Sequence, residues 1–351
     1  MYRNTYVEIN LKNIEYNIKE IIKKNNNYKY YFGVVKADCY GHGDIPVVKS
    51  IINAGCNYLA VATLDEALVI RNKIKDIPIL CLGIINPKYT PVCIKNNITI
   101  TISNLEQLKD INTHNKKLKA HLKINTGMNR LGINNKEDLN KAITIIKKKG
   151  ITIEGIYTHI YNSNNKKDTT NQLNKFEQIT KDINLNNIPI VHIYASEATN
   201  LYPKKDYING IRLGIAMYGL IDYKDIKFKD TFSLYSEVIQ INKVSNETVG
   251  YNGAYKAKNN ELIAVIPIGY ADGIIRKNTG RYVYINNKKY KIVGNICMDM
   301  LFVKVDNTIK LGDKVTIIKD NNHIKEIAKH LDTITYEILC SISKRVPKIY
   351  K

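Results

Sequence analysis

Six side chains able to form imines, move protons or bind anions stand at the ends of apolar runs in the N-terminal part of the chain. Lys36 directly follows Gly33-Val34-Val35. A lysine at the end of a buried strand is poorly solvated, which lowers its pKa and suits it to imine formation. Lys123 ends another run and leads into Asn125-Thr126-Gly127-Met128-Asn129-Arg130-Leu131-Gly132, where glycines allow a tight loop and Arg130 offers a planar fork for a carboxylate. His159 and Ser196 follow two further runs, and Arg212 stands in Arg212-Leu213-Gly214-Ile215. Each has an ordinary alternative: a solvated lysine, a surface arginine, a hydrogen-bonded core histidine, a helix N-cap. Their coincidence at one end of successive runs is harder to explain that way. A serine beside glycine backbone amides is, moreover, what a phosphate site needs.

The elements that must carry these residues alternate. After a strand-like Tyr6-Val7-Glu8-Ile9 and an amphipathic run from Leu11 to Ile22, the apolar periodicity predicts strands at Tyr31–Lys36, Asn57–Ala62, Ile77–Leu82, Ile98–Ile102, Leu118–Asn125, Thr152–His159, Pro189–Tyr194 and Ile208–Leu213. Helix signals lie between them, including capping boxes at Thr63…Glu66 and Ser103…Glu106. Eight such βα units read as a parallel (β/α)8 barrel, with an open doubly wound sheet as the competitor, and the active face of a barrel lies at the C-terminal ends of its strands. From about Lys227 the pattern turns β-rich, with Phe232–Val244, Leu262–Ile268, Tyr282–Val293 around an Asn286-Asn287 turn, Leu301–Val305 and Val315–Ile318. Short helical stretches follow at Ile324–Leu331 and Tyr336–Ser343. The expected division is a barrel over residues 1–226 and a mostly antiparallel β domain over 227–351, with the first few residues free to pair with the second.

The length of 351 residues suits two domains at roughly 100–200 residues each. Hydrophobic residues make up 44% and charged residues 24%, which argues for a globular chain rather than disorder. The net charge of +21 would suit nucleic acid or an anionic membrane, but the lysines are scattered, with no Arg-rich arm and no zinc-finger spacing. Neither a nucleic-acid nor a membrane partner is expected. Six cysteines without CxxC pairs and a start lacking a signal-peptide pattern predict a reduced, cytoplasmic protein, and no apolar run approaches the roughly 20 residues that span a bilayer.

The run Val34-Val35-Lys36-Ala37-Asp38-Cys39-Tyr40-Gly41-His42-Gly43 closely resembles the pyridoxal-phosphate attachment motif of the alanine racemase family. Further matches follow in order: the Leu122–Gly132 segment, Thr158-His159, Ile211–Gly219, Val249-Gly250-Tyr251, Ile268–Gly273, Val293–Asp299 and Thr335-Tyr336-Glu337. The resemblance spans nearly the whole chain. It implies pyridoxal 5'-phosphate as cofactor and a head-to-tail homodimer with shared active sites.

By that resemblance Lys36 carries the cofactor and serves as acid/base on one face of the substrate Cα, and Tyr251 from the partner chain serves on the other. Racemisation needs groups on both faces, because a proton removed from one side is returned to the other. A free phenol titrates at about 10, so Tyr251 needs help, and the family pattern places His159 and then Arg212 behind it. Tyr251-Asn252-Gly253 also reads as a hairpin turn, and a turn can present the phenol. Arg212 is expected at the pyridine nitrogen, where a group that does not give up its proton disfavours side reactions. Tyr40, Ser196, the Gly214 and Ile215 amides and Tyr336 are expected to hold the phosphate. Arg130 and the Met298 N–H would meet the substrate carboxylate, Tyr270 would narrow the entrance, and Lys123 corresponds to the position often carbamylated in this family.

Two departures bear on specificity. Ala195-Ser196-Glu197 stands where the family commonly reads Asn-Ser-Ala, and Asn125 replaces an Asp near Arg130. The expected activity is the interconversion of L- and D-alanine, supplying D-alanine for peptidoglycan. Serine or broader-specificity racemisation is the rival. A decarboxylase of the same architecture would place a carboxylate where Arg212 stands, and a cofactor carrier would lack the β domain.

Overall fold

Strand formation follows the apolar runs. The structure, a computed structural model, describes residues 2–351. The eight barrel strands are β2 (Tyr30–Val34), β3 (Tyr58–Val61), β4 (Ile79–Cys81), β5 (Ile98–Ile102), β6 (Leu118–Lys123), β7 (Ile151–Tyr157), β8 (Ile190–Ala195) and β9 (Gly210–Leu213), preceded by β1 (Tyr6–Ile9). They pair in parallel and β9 closes onto β2, so the open doubly wound sheet is excluded. Buried on both faces, these strands are nearly continuous apolar segments, as parallel strands covered by helices must be.

Helix boundaries follow cap chemistry. Asn10 accepts the Asn13 N–H at 2.9 Å and starts Leu11–Lys24, which buries Ile14, Ile18 and Ile21 along one stripe and ends on Lys23 and Lys24, where cations suit the helix dipole. The Thr63 capping box forms with Glu66. The second expected box shifts by one residue: Asn104, not Ser103, caps Leu105–Asp110, accepting from Gln107 N–H at 2.8 Å. The Gln107 side chain turns back to the Ser103 backbone instead.

The second sheet has nine strands in the order β11-β14-β17-β16-β15-β18-β10-β1-β19. These are β10 (Phe232–Glu237), β11 (Gln240–Val244), β14 (Glu261–Ile266), β15 (Tyr282–Ile285), β16 (Lys288–Val293), β17 (Leu301–Val305), β18 (Lys314–Ile318) and β19 (Lys348–Tyr350); β12 (Thr248–Val249) and β13 (Tyr255–Lys256) form a separate hairpin. Pairing is antiparallel except between β1 and β19. Asn286 and Asn287 both take positive φ, 49° and 64°, as a two-residue hairpin between twisted strands requires. The segment expected as one strand over Phe232–Val244 is broken after Glu237, because β10 pairs with β1 and β18 whereas β11 pairs with β14.

The chain start is stitched into this second sheet. Val7 and Ile9 on β1 are completely buried, and Arg3 forms a two-pronged pair with the buried Asp272, at 2.8 and 3.0 Å. Near the C-terminus, Thr335–Cys340 packs over the barrel mouth, where a Cβ on Gly41 would lie 2.2 Å from the Leu339 carbonyl oxygen. Among the described residues no helix is long and apolar enough to cross a membrane.

Candidate active site at the barrel mouth

Lys36 is not the last strand residue. Strand β2 ends at Val34, and Lys36 opens a turn in which Ala37, Asp38, Cys39 and Tyr40 all take left-handed φ, 51°, 54°, 51° and 55°. Four successive non-glycine residues there cost on the order of 1–2 kcal/mol each, so the surroundings must hold the turn. Glu66 Oε1 accepts the Ala37 N–H at 2.8 Å, and Lys348 pairs with Asp38 at 2.9 Å from the far end of the chain. Glu66 was legible only as half of a capping box; its second oxygen does this further job. His42, also in the motif, is a core residue, stacked on Tyr218 at 3.9 Å and bonded to Thr231.

A cavity of about 860 Å³ lies over the C-terminal ends of the barrel strands. Its lining includes Lys36, Tyr40, Lys123, Arg130, His159, Ser196, Arg212, Gly214, Ile215 and Tyr336, with Glu197 as its carboxylate. The structure therefore gathers the six residues singled out by position, and the excess of cations suits an anionic occupant.

Arg212 forms the floor and is almost wholly buried. Its Nη1 donates to His192 Nδ1 at 2.8 Å and to the His192 carbonyl at 2.7 Å. Its Nη2 donates to the Thr158 and Ile193 carbonyls, both at 2.8 Å, and lies 3.3 Å from His159 Nδ1. Burial, helped by Arg130, pulls the guanidinium down to about 10, so it remains a cation at neutral pH. Both Nη groups are spoken for. The Nε–H is the donor left for an occupant of the cavity.

His159 lies two residues beyond the end of β7 rather than on it. Burial, then Arg212, pushes its pKa down to about 3, so the ring is neutral. With Nδ1 facing a guanidinium that can only donate, its proton sits on Nε2. Lys123, buried with its Nζ 5.3 Å from the Tyr157 ring centre, is lowered to about 8 by burial and then by Arg130, Arg212 and Lys36. Asn125 is a loop organiser: its oxygen accepts from Gly127 and Asn129 N–H, and its amide donates to Asn129 and Asn134 side chains. An aspartate could not make the last two bonds.

Ser196 is the first residue of the helix Ser196–Leu201, whose N-cap is Ala195, so the N-cap alternative fails. Its Oγ accepts the Gly214 N–H at 3.0 Å, which engages that amide and leaves the hydroxyl proton to donate elsewhere. Ile215 opens a short 3-10 turn, where an initial N–H has no helical partner. A Cβ on Gly214 would lie 2.7 Å from the Tyr40 hydroxyl, so only glycine leaves that oxygen its place, and the Tyr40 and Tyr336 rings lie 5.8 Å apart.

Tyr251, Tyr270 and Met298 do not line this cavity. They are 69%, 41% and 53% exposed, and Tyr251 and Tyr270 line a separate open depression with Asn252, Ile275, Arg276, Asn295 and Ile296. Tyr251 sits at the tip of the β12–β13 hairpin, where Asn252 and Gly253 supply the positive φ of the turn.

Residues 9–222 match the family described as alanine racemase, N-terminal domain, and residues 231–350 match alanine racemase, C-terminal domain. The chain belongs to the alanine racemase family. It is 36% identical over 365 residues to alanine racemase 1 of Bacillus subtilis, covering 99% of this chain and 93% of that protein. It is 37% identical over 370 residues to the alanine racemase of Ligilactobacillus salivarius, covering 100% and 99%. The crystal structure of alanine racemase from Bacillus anthracis with bound L-Ala-P matches with a TM-score of 0.94 at 33% identity, covering 100% of this chain and 96% of that one. A histidine racemase from Leuconostoc mesenteroides matches with a TM-score of 0.90 at 25% identity, covering 100% and 98%.

Proposed function

We propose that this chain interconverts L- and D-alanine with pyridoxal 5'-phosphate, as a homodimer whose sites are each built from both copies. In the cytoplasm this would supply D-alanine for peptidoglycan. The residues present fit that cofactor. Ser196, the Ile215 amide, Tyr40 and Tyr336 offer donors to a phosphate beside the glycine cradle, and the free Nε–H of Arg212 suits a ring nitrogen that accepts. When bound at Lys36, pyridoxal phosphate supplies an electron sink for the bond to the α-hydrogen.

The protein's own groups do the rest. The Lys36 amine takes or returns the proton on one face of Cα. The partner's Tyr251 phenol does the same on the other, and His159 Nε2–H donates to its oxygen, orienting it and stabilising it once the proton has gone. Arg130 grips the substrate carboxylate with the partner's Met298 N–H, and the partner's Tyr270 narrows the entry. A carbamate on Lys123 would turn a cation beside Arg130 into an anion that holds it. The domain division lies near residue 226, the first part binding cofactor and the second lending Tyr251 and Met298.

The observation that carries this reading is Arg212: a buried guanidinium under the cavity, with every Nη bond satisfied and no carboxylate paired to it, is what a racemase needs and a decarboxylase does not. Chiral analysis of products from purified protein, with cofactor, on L-alanine, L-serine and a wider amino-acid panel tests it. Formation of D-alanine supports the reading; release of an amine, or no product, refutes it. Preferential turnover of serine or another amino acid would instead favour broader racemisation, which Ala195 and Glu197 at the cavity wall make the second reading.

A further inference from the structure

A line of hydrogen bonds runs down the barrel interior from the floor of the cavity, through groups the proposed chemistry leaves idle. Arg212 Nη1 donates to His192 Nδ1 at 2.8 Å, and His192 Nε2 lies 2.9 Å from His121 Nδ1. His121 Nε2 is buried without a partner at ordinary length and faces Glu154 Oε2 at 3.5 Å. Glu154 Oε2 also accepts from Tyr58 at 2.5 Å and Thr99 at 3.0 Å, while its Oε1 pairs with Lys119 at 2.9 Å. Both imidazoles are completely buried, and burial pushes both pKa values down, so both rings are neutral. Burial alone would raise the Glu154 carboxyl, but the facing His121 N–H and the hydrogen bonds from Tyr58 and Lys119 outweigh it and hold the group ionised.

Donor and acceptor rules then fix every proton. A guanidinium has no acceptor, so His192 Nδ1 is bare and its proton is on Nε2. That proton is donated to His121 Nδ1, which must also be bare, so the second ring carries its proton on Nε2, aimed at Glu154. Both bonds run one way, from the cation under the cavity to His121, whose own N–H then faces the Glu154 carboxylate at 3.5 Å. We propose that His192, His121 and Glu154 form a positioning relay that fixes the Arg212 guanidinium, and with it the direction of its free Nε–H. The catalytic consequence rests on the racemase reading; the proton arrangement does not.

The backbone is shaped around these rings. The β6–β7 register shifts between Ala120 and His121, and the β8–β9 register between His192 and Ala195. Gly155 lies on β7 where a Cβ would come within 2.5 Å of the His121 ring. The His192 ring is sandwiched between Phe32 and Tyr157, each with centroids 4.6 Å away. A ring held in one plane can still carry its proton on either nitrogen; the Arg212 donor selects the Nε2–H form and the His121 acceptor engages its proton. With the proton on Nδ1 instead, His192 would set donor against donor at Arg212.

Ring-nitrogen NMR of 15N-histidine-labelled, cofactor-free protein should show His121 and His192 each protonated at Nε2; an Nδ1–H form at either overturns the relay before any variant is made. His121→Asn places an amide oxygen near the lost Nδ1 and keeps the acceptor, whereas His121→Leu removes it. The Leu variant, if it melts cooperatively, leaves the His192 Nε2–H without its acceptor and should shift the His192 ring-nitrogen and Nε2–H signals and lose at least about tenfold in kcat, with KM less affected, and the Asn variant should recover most of both. Equal losses in the two variants with an unchanged His192 spectrum would reduce His121 to packing and refute the relay. If the wild type racemises nothing, the activity reading falls while the spectra still decide the relay.

Discussion

Replacing Lys123 by methionine should stabilise the protein, although it removes a residue from the cavity wall. The folded protein holds the Lys123 ammonium against burial and against Arg130, Arg212 and Lys36, lowering its pKa from 10.5 to about 8. The unfolded chain therefore binds more protons than the folded one between those two values, so stability rises with pH through that window and the penalty is fully present below it. Its size at neutral pH is on the order of 3 kcal/mol, from 1.36 kcal/mol per pKa step. Methionine keeps most of the aliphatic stem, so Lys123→Met should gain about 1–3 kcal/mol near pH 7 in carbon-dioxide-free buffer and flatten the rise above pH 8. A pKa of about 8 also leaves a sizeable neutral fraction at mildly basic pH, the form that attacks carbon dioxide. Bicarbonate should accordingly stabilise the wild type and not the variant. Urea unfolding of cofactor-free protein across this pH range, at matched concentration and with 13C-bicarbonate NMR for the carbamate, measures all of this. A variant no more stable than the wild type without carbon dioxide, or a wild type whose stability is flat above pH 8, would refute the argument.

Borohydride reduction of the holoenzyme followed by peptide mapping should place the pyridoxyl group on Lys36, and label on another lysine would overturn that assignment. Mixing inactive Lys36→Ala and Tyr251→Phe homodimers under subunit exchange should restore activity, up to about half of wild type per heterodimer, because one of its two sites is then intact. No recovery despite demonstrated heterodimers would refute shared sites. Gly155→Ala should cost about 1–3 kcal/mol by driving a methyl into the His121 ring, read as a lower melting temperature, and an unchanged melt would contradict the packing described.

Local chemistry was legible in the chain itself. The eight apolar runs, the Thr63…Glu66 box and the Asn286-Asn287 turn each depend on residues a few positions apart; each run becomes a barrel strand, though Lys36 and His159 fall two residues past their strand ends, the box and the turn form as read, and Lys36, Lys123, Arg130, His159, Ser196 and Arg212 gather at one cavity. Periodicity and turn chemistry act over short separations, so a sequence read in order contains them. What the tertiary structure decided is which distant residues meet. Asn104 took the cap from Ser103 because the Gln107 side chain could then bond the neighbouring backbone, a competition between adjacent candidates that spacing does not rank. Arg3 with Asp272, Lys348 with Asp38 and Glu66 with Ala37 depend on how the two sheets and the barrel mouth come together. The distance of Tyr251 from the cavity in its own chain depends on a hairpin whose strands pair only with each other. His121, His192 and Glu154 sit on three different strands, and nothing in their spacing announces a chain of bonds. Only the closed barrel, with its shifted registers and the gap left by Gly155, brings those nitrogens and oxygens within reach of one another.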